Sequence, residues 1–264
     1  MTKRITISTL DAMKASGDKF VMITAYDATF ARLASEAGAE TILVGDSLGM
    51  VLQGHETTIP VSLDAMVYHT ECVARAKPRS LIVADLPFMS FSNSDDALHA
   101  STQLMQAGAQ MVKLEGGTWL SDSINRLVER GVPVCAHLGL TPQSVNVFGG
   151  YRVQGRTPKA AKSILADAVE IQDAGASLLV LECIPAELAG DIASKLDIPV
   201  IGIGAGGGTD AQVLVLHDML GMTESAPKFV QNFMKGADSI QDALATFVRA
   251  VKSGEYPQEE HTYS

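Results

Sequence analysis

Five short apolar runs in this chain stop at, or next to, a residue that can carry charge: Asp46, Asp85, Lys113 with Glu115, His137 and Glu182. A charge at the end of a buried strand loses hydration and needs a partner, a metal or a water-filled mouth. Each residue alone has an ordinary explanation. Asp46 or Ser47 can cap a helix, Asp85 can hold the turn into Leu86-Pro87, and Lys113 and Glu115 can form a buried ion pair. His137 can be a satisfied core histidine, and Glu182 can meet an arginine from an outer layer. Alternation along a strand nevertheless groups Asp46 with Val44 and Ile42, Asp85 with Val83, and Glu115 with Lys113 and Met111. It likewise groups His137 with Cys135, and Glu182 with Val180.

Brought to one ring, these acids cannot all stay ionised without a cation to offset their repulsion. The donor set is rich in oxygen, with one histidine and no cysteine pair, which suits Mg²⁺ better than Zn²⁺. Asp46 and Asp85 are the expected direct ligands, with Glu115 direct or through water. Zinc on His137 is the weaker alternative.

The elements that must position these residues recur with a regular beat. Strands are expected over 20–26, 41–46, 81–86, 111–116, 133–139, 178–183, 199–204 and 212–218. Helical patterns over 29–37, 63–76, 94–107, 120–129 and 158–174 lie between them, several ending in glycine before a short turn into the next strand. Eight strands alternating with helices predict an α/β fold, a (β/α)8 TIM barrel forming a single domain over residues 1–264. An N-terminal helix over 8–14, capped by Ser8 or Thr9 and ended by Gly17, precedes the first strand. A C-terminal helical extension near 238–252 follows the last, and the helix between the seventh and eighth strands must be very short. Catalytic groups of such barrels sit at the C-terminal ends of the strands, where these ionisable residues fall.

The totals narrow the partners. With 264 residues, 47% hydrophobic and 19% charged, the chain has ample material for a large core. A formal charge of -10 and a pI near 5.0 exclude a general affinity for nucleic acid or for an anionic membrane. The three cysteines, Cys72, Cys135 and Cys183, lack metal-type spacing and fit a reduced, cytoplasmic setting. No stretch reaches the ~20 apolar residues that a membrane span needs.

Three further features carry weaker expectations. The glycine-rich run from Gly202 to Gly208 suggests a phosphate loop, or more simply a tight turn with close backbone approach. Cys135, two residues before His137, sits one layer deeper and is a poor nucleophile candidate. The long connection 140–156 has the length of a binding loop, with Phe148 and Tyr151 able to cover a flat ring and Arg152 or Arg156 able to meet an anion.

Taken in order, Val44-Gly45-Asp46-Ser47-Leu48-Gly49-Met50, Ala84-Asp85-Leu86-Pro87-Phe88-Met89, Val112-Lys113-Leu114-Glu115-Gly116-Gly117, His137-Leu138-Gly139-Leu140-Thr141-Pro142-Gln143 and Leu181-Glu182-Cys183-Ile184-Pro185 form a specific series. With Gly202-Ile203-Gly204-Ala205-Gly206 and Leu216-His217-Asp218, the chain closely resembles the ketopantoate (3-methyl-2-oxobutanoate) hydroxymethyltransferase family from about Ile5 to Tyr263. Small departures occur at Gly207-Gly208, Ala211 and Thr262-Tyr263, none of them in the acidic ring.

The resemblance implies a Mg²⁺-dependent enzyme of pantothenate biosynthesis with one ion per subunit. It implies transfer of a one-carbon unit from 5,10-methylenetetrahydrofolate to 3-methyl-2-oxobutanoate, and a cytoplasmic homo-oligomer, commonly a decamer. It makes Asp46, Asp85 and Glu115 the metal residues. Asp46, Ser47, Asp85, Lys113 and His137 become the contacts of the 2-oxo acid, and Glu182 the proton acceptor. The rivals are another Mg²⁺-dependent 2-oxo-acid barrel enzyme of the lyase or mutase type, and a phosphate-binding barrel using Gly202–Gly208.

Overall fold

In the computed structural model, which describes residues 4–264, the N-terminal helix α1 (Ile7–Ser16) leads into the first of eight strands. In chain order these are β1 (Phe20–Thr24), β2 (Thr41–Val44), β3 (Leu81–Asp85), β4 (Met111–Glu115), β5 (Val134–Gly139), β6 (Leu178–Glu182), β7 (Val200–Ile203) and β8 (Ala211–Leu214). All pair in parallel, and β8 returns to β1 to close the barrel. Between and after them run α2 (Ala28–Ala37), α3 (Leu48–Val51), α4 (Leu63–Arg75), α5 (Ser94–Ala107), α6 (Ser121–Val128), α7 (Val145–Phe148), α8 (Pro158–Asp173), α9 (Ala186–Lys195), α10 (Leu216–Met219) and α11 (Ile240–Ser253). The expected α/β barrel is therefore present. Strands buried on both faces, such as Phe20–Thr24 and Leu81–Asp85, explain the unbroken apolar runs.

Four expectations are corrected at element level. The cap of α1 is Thr6, whose hydroxyl accepts from Thr9 N–H, rather than Ser8 or Thr9. No helix separates β7 from β8; a turn bridges them instead. The eighth strand stops at Leu214, and His217 and Asp218 belong to α10.

The fourth correction concerns β2. Register pairs Leu43 with Val83 and Val44 with Ala84, so Leu43 shares the face of Val83 and Asp85, while Val44 and Ile42 face the helices. Asp46 therefore does not reach the interior by strand alternation. It gets there from the turn that follows β2. On the other strands register holds as read: Asp85 aligns with Lys113, Glu115 with His137, and Gly139 with Glu182.

Among the described residues, no helix is long and apolar enough to cross a membrane.

Candidate active site

At the C-terminal end of the barrel the ionisable residues meet as a ring of ion pairs and hydrogen bonds. Lys113 Nζ lies 2.9 Å from Asp85 Oδ1 and 3.7 Å from Glu115 Oε1. His137 stands between two glutamates, with Nδ1 3.2 Å from Glu115 Oε1 and Nε2 3.2 Å from Glu182 Oε2. The second pair is close enough for attraction but not aligned as a hydrogen bond. Asp46 joins through its backbone, whose N–H donates to Asp85 Oδ2 at 3.1 Å. Asp46, Asp85, Lys113, Glu115 and His137 are all buried, whereas the Glu182 side chain keeps 15% of its surface accessible.

Burial makes these charges interact strongly. Burial, then Asp85 and Glu115, push the Asp46 carboxyl well above the ordinary range. Burial raises Asp85 as well, against the opposing pull of Lys113. Desolvation would also raise Glu115, but His137, Lys113 and the Gln143 N–H together hold it below its usual value. Desolvation and Lys113 disfavour the His137 imidazolium, yet Glu115 and Glu182 overcome both, and its pKa is pushed up to about 9. Lys113 loses to burial and gains more from Asp85, Glu115 and Asp46, so it stays charged.

Since His137 is protonated at neutral pH in this arrangement, Nδ1–H donates to Glu115. The 3.3 Å approach of Lys113 Nζ to the same nitrogen is then a contact between two cations rather than a hydrogen bond.

Four carboxyl groups thus face two cations, and ionising all four would leave the ring short of positive charge. Among the described residues, no group of three or more His, Cys, Asp or Glu side chains is disposed to hold a metal ion. Glu115 explains part of this, because Oε1 serves His137 and Oε2 accepts from Gln143 N–H at 3.0 Å. Mg²⁺ does not need such a cage, since it habitually takes one or two carboxylates and fills its other positions with water or substrate oxygens. The donor chemistry and the charge deficit therefore fit a hard divalent ion on Asp46 and Asp85, with Glu115 outside them.

Ser47 occupies the cap position of α3 without a capping hydrogen bond; its hydroxyl pairs with Tyr26 OH at 3.0 Å. Tyr26, just beyond β1, does not stand out in the sequence, because a neutral phenol after an apolar strand resembles the core residues around it. Gln143 was also missed, although it stands six residues after His137 in a run of apolar and turn residues. Its amide donates to Asp46 Oδ2 and to Leu86 O, each at 2.9 Å.

The weaker candidates fall into place around the ring. Tyr151 is half-exposed, and its phenol is raised by burial and then by the charges of Glu182, Asp46 and Glu115. Phe148 packs partly into the core, and Arg156 Nε donates to Ser264 O at 3.2 Å. Cys135 is fully buried and its thiol is pushed up to about 12 by desolvation, which suits an inert packing residue. The glycine run is a packed turn: a Cβ on Gly206, at φ +75°, would sit 2.4 Å from Ala186 Cβ.

Comparison with known sequences decides the family. The sequence model described as Ketopantoate hydroxymethyltransferase matches residues 4–259. The chain belongs to the ketopantoate hydroxymethyltransferase family. It is 58% identical over 260 residues to the 3-methyl-2-oxobutanoate hydroxymethyltransferase of Marinobacter nauticus, covering 98% of each chain. It is equally 58% identical, over 262 residues and 98% of each chain, to 3-methyl-2-oxobutanoate hydroxymethyltransferase 2 of Pseudomonas entomophila. The family is thus one of hydroxymethyltransferases, as the motif series implied.

Solved structures share the fold at much lower identity. A putative phosphonomutase from Burkholderia cenocepacia aligns with a TM-score of 0.66 at 16% identity, over 82% of this chain and 95% of that one. A 2,3-dimethylmalate lyase of the PEP mutase/isocitrate lyase superfamily aligns at 0.57 and 16%, over 79% and 80%.

Proposed function

We propose that this protein transfers the one-carbon unit of 5,10-methylenetetrahydrofolate to 3-methyl-2-oxobutanoate. With water, the products are 2-dehydropantoate and tetrahydrofolate, a step of pantothenate biosynthesis. The observation that carries this reading is the ring itself: buried acids outnumbering cations at the mouth of a barrel whose close relatives bear the hydroxymethyltransferase name. Asp46 and Asp85 would hold Mg²⁺, with Glu115 acting through water. A divalent ion there draws charge toward the keto oxygen of a 2-oxo acid and lowers the cost of removing a proton from the adjacent carbon.

The chain's own groups do the rest. Lys113 offers a fixed ammonium, and Ser47 a hydroxyl oriented by Tyr26, to the substrate carboxylate. These groups explain how a protein of net charge -10 holds an anion. Glu182 is the most accessible acid of the ring and accepts the proton from carbon 3. His137 Nε2, 3.2 Å away, holds the Glu182 carboxylate in place. The enolate so formed attacks the methylene carbon that the folate presents, releasing one of its two carbon–nitrogen bonds; water then displaces the second, its hydroxyl staying on the new carbon and the folate nitrogens taking up the protons.

The half-reaction can be watched alone. Incubated with Mg²⁺ in D₂O without folate, the protein should exchange the carbon-3 proton of 3-methyl-2-oxobutanoate, as followed by NMR. Exchange that is absent, or indifferent to Mg²⁺ and to Glu182→Gln, sinks the mechanism. Adding methylenetetrahydrofolate should then give 2-dehydropantoate.

A further inference from the structure

Gln143 enters the ring from a loop rather than from a strand. After β5 the chain makes one turn of 3-10 helix, Pro142–Ser144, closed by Ser144 N–H donating to Thr141 O at 2.8 Å. Pro142 fixes the first torsion of that turn. The turn directs the Gln143 backbone N–H at Glu115 Oε2, 3.0 Å away, and its side-chain nitrogen at Asp46 Oδ2 and Leu86 O, both 2.9 Å away. Two oxygen acceptors at one end of the amide leave it a single orientation, nitrogen inward. The side chain is buried, so losing either hydrogen bond strands a desolvated polar group.

The rest of the 140–156 connection is held at one end to β6 and at the other to the residue after it, with α7 between and its outer side exposed. Leu140 N–H donates to Glu182 O at 2.8 Å, and Gln154 N–H to Cys183 O at 2.9 Å. Between these anchors Val147 is 87% exposed and Tyr151 is half-exposed, its hydroxyl making one long contact of 3.5 Å to Met50 Sδ. Gln143 is thus a third anchor. It ties the covering loop to two acids of the ring, Asp46 in the turn after β2 and Glu115 on β4.

We propose that Gln143 is a positioning residue that makes the ordering of residues 145–151 and divalent-cation binding at Asp46 a single linked equilibrium. An ion that fixes the Asp46 carboxylate fixes the amide bonded to it, and with it the turn from which the cover begins. Linkage is reciprocal, so whatever loosens the turn weakens ion binding by the same free energy. Partners that orient metal-binding side chains are worth about 10–100-fold in metal affinity. The inference rests on the reading that a divalent ion binds Asp46 and Asp85.

The test uses the full-length protein in its native assembly, with Mn²⁺ as a paramagnetic probe whose free fraction is read by electron paramagnetic resonance. Gln143→Met keeps the volume and removes the amide, and should weaken Mn²⁺ binding about 10–100-fold. Hydrogen–deuterium exchange supplies the second readout. Mg²⁺ should slow exchange across 145–151 in the parent protein and leave it unchanged in Gln143→Met at saturating ion. Pro142→Gly, which keeps the amide and loosens the turn, should show a smaller loss of affinity, and carries the measurement if Gln143→Met does not fold. Mn²⁺ affinity within about twofold of the parent in both variants, or equal Mg²⁺-induced protection, overturns the proposal. A parent protein that binds no Mn²⁺ refutes the cation reading itself, and that failure is visible before any variant is made.

Discussion

Removing Lys113 should be a severe change to the ring, because its buried ammonium lies 2.9 Å from Asp85 and 3.7 Å from Glu115. Breaking a buried ion pair from one side costs about 3–5 kcal/mol, since the surviving charge stays desolvated. Lys113→Met should lose stability of that order in urea unfolding without metal, and Mg²⁺ should restore more of it than it adds to the parent. Tyr26 is expected to act more gently. Deleting its hydroxyl leaves Ser47 Oγ without the 3.0 Å partner that orients it. At about 0.5–1.5 kcal/mol for one hydrogen bond, Tyr26→Phe should raise KM for the oxo acid about two- to tenfold. Its kcat should be nearly unchanged; a drop in kcat with constant KM would mean that Tyr26 touches the reacting atoms instead. At this scale charged residues were legible in the sequence because apolar strands make them conspicuous. Neutral ones such as Tyr26 and Gln143 were not, since a phenol or an amide draws no notice until its partners are known.

The elements place these residues, and one glycine shows how tightly. Gly139 ends β5 at φ +91°, where a Cβ would come 2.2 Å from the carbonyl oxygen of Glu182. That close approach lets the 140–156 connection leave β5 directly over the base. Gly139→Ala combines a left-handed backbone with a clash against main chain, so it should cost well over about 1 kcal/mol and pull Glu182 away from His137. Thermal unfolding should register the first effect, and a fall in carbon-3 exchange the second. Strand order and most helices were readable because period and glycine caps are local signals. Others were not, among them α9 and the short helices α3 and α7, and three misreadings have a definite cause. The turn between β7 and β8 hid behind the rule that a helix follows each strand. α10 continued an apolar run that looked like strand. The inward face of β2 was misassigned because the parity count was carried past Val44 into a turn, where alternation no longer applies.

For the whole molecule, the charge deficit of the ring becomes a dependence of stability on pH. In the metal-free protein His137 has a folded-state pKa of about 9 against an unfolded value of about 6.5. The folded state therefore binds the extra proton across that interval, and the stability it contributes is complete below about pH 6.5 and lost as pH rises through about 9. Asp46, also raised, leans the same way, because burial, and then Asp85 and Glu115, disfavour its ionisation in the fold. Glu115 leans the other way, but its window lies below the ordinary carboxylate value and does not overlap. Metal-free protein should accordingly lose Tm steadily between pH 6.5 and 9. A divalent ion supplies the positive charge that the departing proton takes away, so the rise in Tm on adding Mg²⁺ should grow over the same interval. Calorimetry at pH 6, 7.5 and 9, with Mg²⁺ and with a chelator, separates the curves. A Mg²⁺ increment that stays constant with pH would mean that the ion binds away from His137 and the acids it faces, and the ring would then have to be neutralised by substrate contacts alone.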